Sequence, residues 1–147
     1  MTEHPLSPTD VFERIGHEGF ERLVHAFYQR VATDDILRPM YPSGDLAPAE
    51  RRLRLFLEQY FGGPTTYSQQ RGHPRLRARH LRFPIDQAAR DRWVSLMLAA
   101  LEEAELPDDV AAIMRQYFEQ AATFLINRSP FMGGMFSTQP PQTQDET

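Results

Sequence analysis

Apolar residues recur at every third or fourth position along most of the chain, the spacing of helices that each bury one apolar face. Four long stretches follow this spacing, at about residues 20–31, 47–61, 86–104 and 107–126. In the second stretch, the residues that share the apolar face are Leu53, Phe56, Leu57 and Tyr60. No stretch alternates convincingly between apolar and polar residues, and no internal repeat occurs. The pattern therefore predicts an all-α domain with four main helices.

Glycine and proline separate the main helices and leave room for shorter elements. These elements are a short helix at 9–15 capped by Thr9 or Asp10, a loop at 62–74, and about two helical turns at 75–81. Gly16 and Gly19 divide the first short helix from the long helix that follows it. His80 is predicted to lie on the short helix at 75–81.

The chain of 147 residues is long enough for one hydrophobic core, and nothing in it indicates a second domain. We expect a flexible extension at 1–8, a globular domain at 9–128 and a mostly disordered tail at 129–147. The N-terminus lacks the features of a secretory peptide, and no apolar run approaches the roughly 20 residues of a membrane span. The expected location is therefore the cytoplasm, with no membrane partner.

Composition excludes several kinds of chemistry. The absence of cysteine excludes disulfides, thiolate metal sites, cysteine nucleophiles and covalent cofactor attachment through a Cys-x-x-Cys-His motif. The absence of lysine excludes a Gly-x-x-x-x-Gly-Lys loop, and neither Gly-x-Gly-x-x-Gly nor Gly-x-Ser-x-Gly occurs. The five histidines form neither a His-x-x-x-His nor a Glu-x-x-His pair, so a multi-histidine metal site is not expected.

The distribution of charge directs attention to His80. A net charge of -4 argues against generic nucleic-acid binding, yet all sixteen basic residues are arginine and five lie between Arg71 and Arg82. His80 falls within this run. An imidazole among guanidinium groups suits a metal held inside an anionic organic cofactor, because the metal takes the nitrogen and carboxylates take the arginines. By composition alone, a lone histidine is more often structural.

Several segments, one of which overlaps this basic run, resemble those of a known protein family. They are Phe27-Tyr28, Met40-Tyr41-Pro42, the segment RLRLFLEQYFGGP at 52–64, the segment YSQQRGHPRLRARH at 67–80, and Trp93. In this order they resemble the truncated haemoglobins of group II. The resemblance runs from about residue 9 to residue 127, and its long central part makes it specific.

The resemblance implies a two-over-two helical sandwich around noncovalent haem b, with His80 as the proximal ligand of a five-coordinate iron. The distal hydrogen-bond donors would be Tyr28, Tyr41 and Trp93. The apolar distal wall would be formed by Leu53 and Phe56. Ala49 occupies the place of the distal histidine of longer globins, so the three aromatic side chains must supply the donors.

Other residues receive more limited expectations. The positions that match contacts to the haem propionates are Arg52, Arg79 and Tyr67, although arginines on a solvated face would have the same sequence pattern. The remaining histidines of the globular domain are expected to serve structure or to face solvent, namely His17, His25 and His73.

The function that the resemblance implies is binding of oxygen, nitric oxide and carbon monoxide by a carrier or store. A second hypothesis is an enzyme, a nitric oxide dioxygenase or peroxidase, which would need an external reductase. A third is a haem-free interaction module that uses its arginine patch on nucleic acid or an acidic partner; its affinity would fall steeply with salt. Members of the family are often dimeric or larger, so a homodimer or larger homo-oligomer is also expected.

Overall fold

The computed structural model describes residues 5–41, 44–81 and 83–127, and within these ranges its regular secondary structure is entirely helical. The α-helices are α1 Val11–Val31, α2 Ala47–Tyr60, α3 Thr66–Arg71, α4 Leu76–His80, α5 Gln87–Ala104 and α6 Asp108–Phe124. Two 3-10 turns lie at Pro8–Asp10 and Arg38–Met40. The all-α prediction is confirmed, and the four long helices correspond to the four periodic stretches.

Helix α1 forms the centre of the core. It packs against both α2 and α5, and α5 in turn packs against α6. The fully buried side chains of these helices include Phe20, Leu23, Val24, Phe27, Leu57, Met97, Met114 and Phe118. Burying such a side chain stabilises the fold by about 1.5–3 kcal/mol each. The four long helices therefore form two pairs, α1 with α2 and α5 with α6, in the expected two-over-two arrangement.

A glycine divides α1 near its start. Gly16 has φ 66° and ψ 178°, a backbone conformation that other L residues adopt only under strain. The turn before this break lies across the end of α2, where the Phe12 N–H donates a hydrogen bond to the Phe61 carbonyl at 3.0 Å. A Cβ atom added to Gly62 would lie 2.0 Å from the Thr9 carbonyl oxygen. The first turn of α1 therefore lies directly against the glycines that follow α2.

The prediction of a continuous loop at 62–74 is wrong, because helix α3 lies inside it. A tertiary contact explains the difference. The Gln59 carboxamide of α2 accepts a hydrogen bond from the Ser68 N–H at 2.9 Å and donates one to the Ser68 hydroxyl at 2.8 Å. Tyr67 is buried beside it. Both hydrogen bonds join residues that lie nine positions apart, so local glycine and proline content does not reveal them.

Three smaller features differ from expectation near the N-terminus. Neither proposed cap bonds α1 through its side chain; the Asp10 carboxylate instead accepts hydrogen bonds from the Ser7 N–H and hydroxyl, at 3.0 and 3.1 Å. Gly19 keeps the helical conformation, so Gly16 is the position that breaks α1. Leu6, in the segment expected to be flexible, packs against the core. The predicted tail at 129–147 lies outside the described residues.

None of the helices in the described ranges combines the length and the apolar character that crossing a membrane requires.

Candidate functional site

The His80 side chain has one ring nitrogen engaged and the other available. Its Nδ1 lies 2.7 Å from the carbonyl oxygen of Leu76, one helical turn earlier. A carbonyl oxygen only accepts hydrogen bonds, so Nδ1 carries the hydrogen, and in the neutral imidazole Nε2 is the nitrogen with the lone pair. Donating the Nδ1 hydrogen to a carbonyl fixes the ring orientation and is the usual arrangement of a metal-binding histidine. His80 is half-buried and is therefore accessible to a ligand.

Two tyrosines that lie far from His80 in the sequence form a pair of hydroxyl groups. The Tyr28 hydroxyl donates to the Tyr41 hydroxyl at 3.5 Å, and their rings meet nearly at right angles, with centroids 5.6 Å apart. Burial raises the pKa of both phenols, and that of Tyr28 rises well above its usual value with a further contribution from Tyr41. Both phenols are therefore protonated at neutral pH and can act as hydrogen-bond donors.

Trp93 is connected to this pair through Phe27. The indole packs against Phe27 with ring centroids 5.3 Å apart, and Phe27 in turn meets the Tyr28 ring at 5.1 Å. On its other flank Trp93 contacts Phe118 of α6, at 5.7 Å. Within the described ranges, the indole N–H has no hydrogen-bond partner in the protein. The structure thus brings Tyr28, Tyr41 and Trp93 into one aromatic cluster. The Trp93 indole N–H of this cluster is available as a hydrogen-bond donor.

Helix α2 supplies the apolar residues that were predicted to line the site. Phe56 is buried and its ring meets the Tyr67 ring at 5.5 Å, whereas Leu53 is half-buried against the core. Ala49 is buried on the same helix. Because Ala49 carries only a methyl group, the first turns of α2 present no polar side chain at this position.

Arginines surround a cavity of about 320 Å³ between α2 and α3. Its lining residues are Pro48, Arg51, Arg52, Leu55, Tyr67, Gln70 and Arg71. The positive charge of Arg52 acts on both Tyr28 and Tyr41, where it opposes the rise in their pKa. The cavity therefore combines several positive charges with a buried phenol and lies within electrostatic reach of the tyrosine pair.

The third predicted residue of this region, Arg79, has a different position. Its guanidinium donates to the carbonyl oxygens of Pro74 and Arg71, both at 2.8 Å, and lies 5.9 Å from the centre of the Tyr67 ring. It thereby fixes the backbone that leads into α4 and does not line the cavity. Arg71, which sequence reasoning missed, does line it and lies 5.9 Å from the same ring. The spacing of four residues between Tyr67 and Arg71 was the signal available.

The other described histidines have their own partners. The His17 Nδ1 lies 2.8 Å from the carboxylate of Glu58, a buried residue, and the His25 Nδ1 lies 2.9 Å from the Glu50 carboxylate. His73 accepts a hydrogen bond from the following backbone, at 3.1 Å. Over the described ranges, no three histidine or acidic residues group closely enough to hold a metal ion. A larger open groove of about 700 Å³, between the end of α5 and the start of α6, contains none of the predicted site residues.

Comparison with known proteins supplies the class of this fold and site. The family model described as bacterial-like globin matches residues 10–127, which is most of the chain. The chain therefore belongs to the bacterial-like globins, a family whose members carry haem.

Individual relatives indicate the subgroup of globins to which the chain belongs. The chain is 40% identical over 118 residues to the group 2 truncated hemoglobin YjbI of Bacillus subtilis (strain 168), covering 80% of this chain and 89% of that protein. The structure of a hemoglobin from Chloroflexus aurantiacus has a TM-score of 0.79 and 50% identity, covering 83% of this chain and 100% of that one. A truncated oxygen-avid haemoglobin from Bacillus subtilis has a TM-score of 0.77 and 38% identity, with 80% and 98% coverage. The chain is a group II truncated haemoglobin.

The contacts and charges of these residues are compatible with a bound haem. His80 would offer a single imidazole whose Nδ1 is engaged with the Leu76 carbonyl and whose Nε2 is available, which suits one bond to a haem iron. The arginine-lined cavity offers charge for carboxylates. The protonated phenols and the indole offer donors, and Phe56 offers apolar surface.

Proposed function

We propose that this globin binds haem b noncovalently, with His80 as the proximal ligand of a five-coordinate iron, and that it binds and retains diatomic gases. The observation that carries the proposal is the 2.7 Å hydrogen bond from His80 Nδ1 to the Leu76 carbonyl, because in the neutral imidazole it leaves Nε2 as the nitrogen that can bind a metal. When bound, the haem supplies an iron atom with an open coordination position for oxygen, nitric oxide or carbon monoxide.

The chain's own residues would determine how long a diatomic ligand stays. Tyr28 and Tyr41 keep their protons at neutral pH, and Trp93 can only donate, so each of the three side chains can donate a hydrogen bond to a ligand that carries partial negative charge. Leu53 and Phe56 would form the apolar wall that keeps water out. Retention supports storage or redox chemistry better than rapid delivery, and the related Bacillus subtilis protein is described as oxygen-avid.

For the haem propionates, we propose Arg52 and Tyr67 as the principal partners and Arg71 as a further one, since all three line the same cavity. Arg79 already donates from Nε and Nη2 to backbone carbonyls, so we assign it mainly to the loop before α4. Arg77 is likewise bound to backbone carbonyls at the end of α6. These internal contacts favour the haem-binding hypothesis over an arginine patch that recognises nucleic acid.

The decisive experiment is an absorbance spectrum of the purified protein after haem addition. We expect a Soret band and, in the ferrous state, a five-coordinate spectrum. His80→Ala should lose that spectrum, whereas His73→Ala, a matched change of an exposed histidine in the same basic segment, should keep it.

Two results would contradict the proposal at different levels. A protein that shows no Soret band after haem addition does not have the proposed function. A His80→Ala variant with the normal five-coordinate spectrum would leave haem binding in place but would overturn the assignment of the ligand.

A further inference from the structure

Asn127 lies three residues beyond α6 and joins the end of this helix to the backbone around His80. Its side-chain Nδ2 donates to the carbonyl oxygens of His80 at 3.1 Å and Phe83 at 2.9 Å. Its Oδ1 accepts from the Ile85 N–H at 2.9 Å, and its own N–H donates to the Ile85 carbonyl at 2.8 Å. One residue thus makes four hydrogen bonds to the segment that begins at His80.

Packing alone gives this segment little support. Helix α4 is five residues long, contains no buried residue and follows Arg75, which has a left-handed backbone with φ 43°. A helix of this length is not stable by itself. Its position must therefore depend on the contacts that attach it to the rest of the fold.

Separate hydrogen bonds hold the side chain and the backbone of His80. The ring is oriented by the Leu76 carbonyl, which belongs to α4 itself. The His80 carbonyl accepts from Asn127 Nδ2 and from the Phe83 N–H, at 3.1 and 3.0 Å. The first contact sets the rotation of the imidazole, and the contact with Asn127 ties the backbone that carries the imidazole to the residues that follow α6.

We propose that Asn127 is a positioning residue for the His80 imidazole. The role rests on the proposed function, since it has a consequence for the iron only if His80 is the proximal ligand. Asparagine suits it because one planar amide provides two donor hydrogens and an acceptor, and the site uses both kinds. Asn127 is the only asparagine in the chain, so no other residue offers the same amide at another position.

The most informative variant is Asn127→Asp, which keeps the shape of the side chain. Its carboxylate can still accept from the Ile85 N–H, but it places an oxygen where Nδ2 faced the carbonyl oxygens of His80 and Phe83. Asn127→Ser gives a second variant without charge. Both remove the Nδ2 donor that Asn127 supplies to the His80 carbonyl.

The measurement is the iron–histidine stretching band of the ferrous protein by resonance Raman spectroscopy, together with the rate of haem release to an acceptor protein. In both variants we expect a shifted and broadened band. We also expect release that is roughly 10-fold to 100-fold faster, the usual cost of losing a residue that orients a metal ligand. Arg90→Ala is the control, because it removes hydrogen bonds between α5 and α6 without contacting the segment after His80; its band should match the wild type.

A detached ligand separates positioning from a general structural effect. In a His80→Gly background with added imidazole, the iron ligand has no covalent link to the backbone, so adding Asn127→Asp should leave the iron–imidazole band unchanged. A band that still shifts there would overturn the positioning role. So would an unchanged band and release rate in both single variants, or loss of folding in both. A wild-type protein that takes up no haem would instead contradict the proposed function.

Discussion

Tyr28 and Trp93 lie on long helices of the core, whereas His80 lies on a five-residue helix with no buried side chain. On the distal side, Phe27 is fully buried and contacts both Tyr28 and Trp93 through its ring. On the proximal side, hydrogen bonds from Asn127 and between residues of α4 hold the backbone. Packing therefore places the candidate distal donors, and directional polar contacts place the candidate iron ligand.

This difference has an energetic consequence. A buried aromatic side chain contributes several kcal/mol through transfer and packing, while an individual hydrogen bond contributes about 0.5–1.5 kcal/mol net. The distal cluster should consequently be part of the most stable unit of the fold. The proximal segment should open at a lower free energy and be easier to alter without unfolding the protein.

The largest expected effect is a loss in the free energy of unfolding when the aromatic cluster around Phe27 is disrupted. Phe27→Ala should lower the free energy of unfolding by about 3–5 kcal/mol, because it leaves a cavity in the core between Tyr28 and Trp93. Urea unfolding of the haem-free protein measures the change. Leu76→Ala, a half-buried position on α4, is the proximal counterpart and should lose clearly less. Equal losses would show that the two halves are not held differently.

An intermediate effect concerns the distal donors themselves. Tyr28→Phe and Trp93→Phe remove a donor while keeping an aromatic ring, so oxygen should leave roughly 2-fold to 13-fold faster in each, the equivalent of one neutral hydrogen bond. Stopped-flow displacement of oxygen by carbon monoxide gives the rate. Unchanged release in Trp93→Phe would count against the indole as a donor and leave the tyrosine pair to account for retention.

The smallest expected effect is the absence of a pH response on the distal side. Burial raises the pKa of Tyr28 and Tyr41 above the ordinary value of about 10, so both phenols stay protonated at lower pH. Their contribution to stability is fully present below that ordinary value and is lost as pH rises through the higher folded value. Oxygen release should thus be flat between about pH 6 and pH 9. A steep change within this range would indicate that a different group controls release.

The sequence predicted the long helices and the break at Gly16 well, because apolar spacing and glycine placement are local properties. It also placed Tyr28, Tyr41 and Trp93 on elements that meet, although only through a family resemblance. It missed α3, which depends on the contact between Gln59 and Ser68. Such a contact has no periodic signature.

The same reason explains the residues of the candidate site that sequence reasoning did not find. Asn127 bonds to residues 42 to 47 positions earlier, as its contacts with Ile85 and His80 show, and a single polar residue after a helix gives no hint of that partner. Arg71 and Arg79 look alike in the basic run, yet one lines the cavity and the other binds backbone carbonyls. Which guanidinium faces a cavity is decided by the path of the backbone.

Gly16 in α1 and Gly62 after α2 exclude other residues for different structural reasons. Nothing lies within 4 Å of a Cβ atom built on Gly16, so only its positive φ excludes an ordinary side chain. A Cβ atom on Gly62 would instead collide with the Thr9 backbone. A D-amino acid adopts φ 66° as easily as an L-amino acid adopts the mirror-image angle. At position 16 the penalty on an L side chain is therefore one of handedness alone, whereas at position 62 a positive φ of 99° and a collision with the backbone act together.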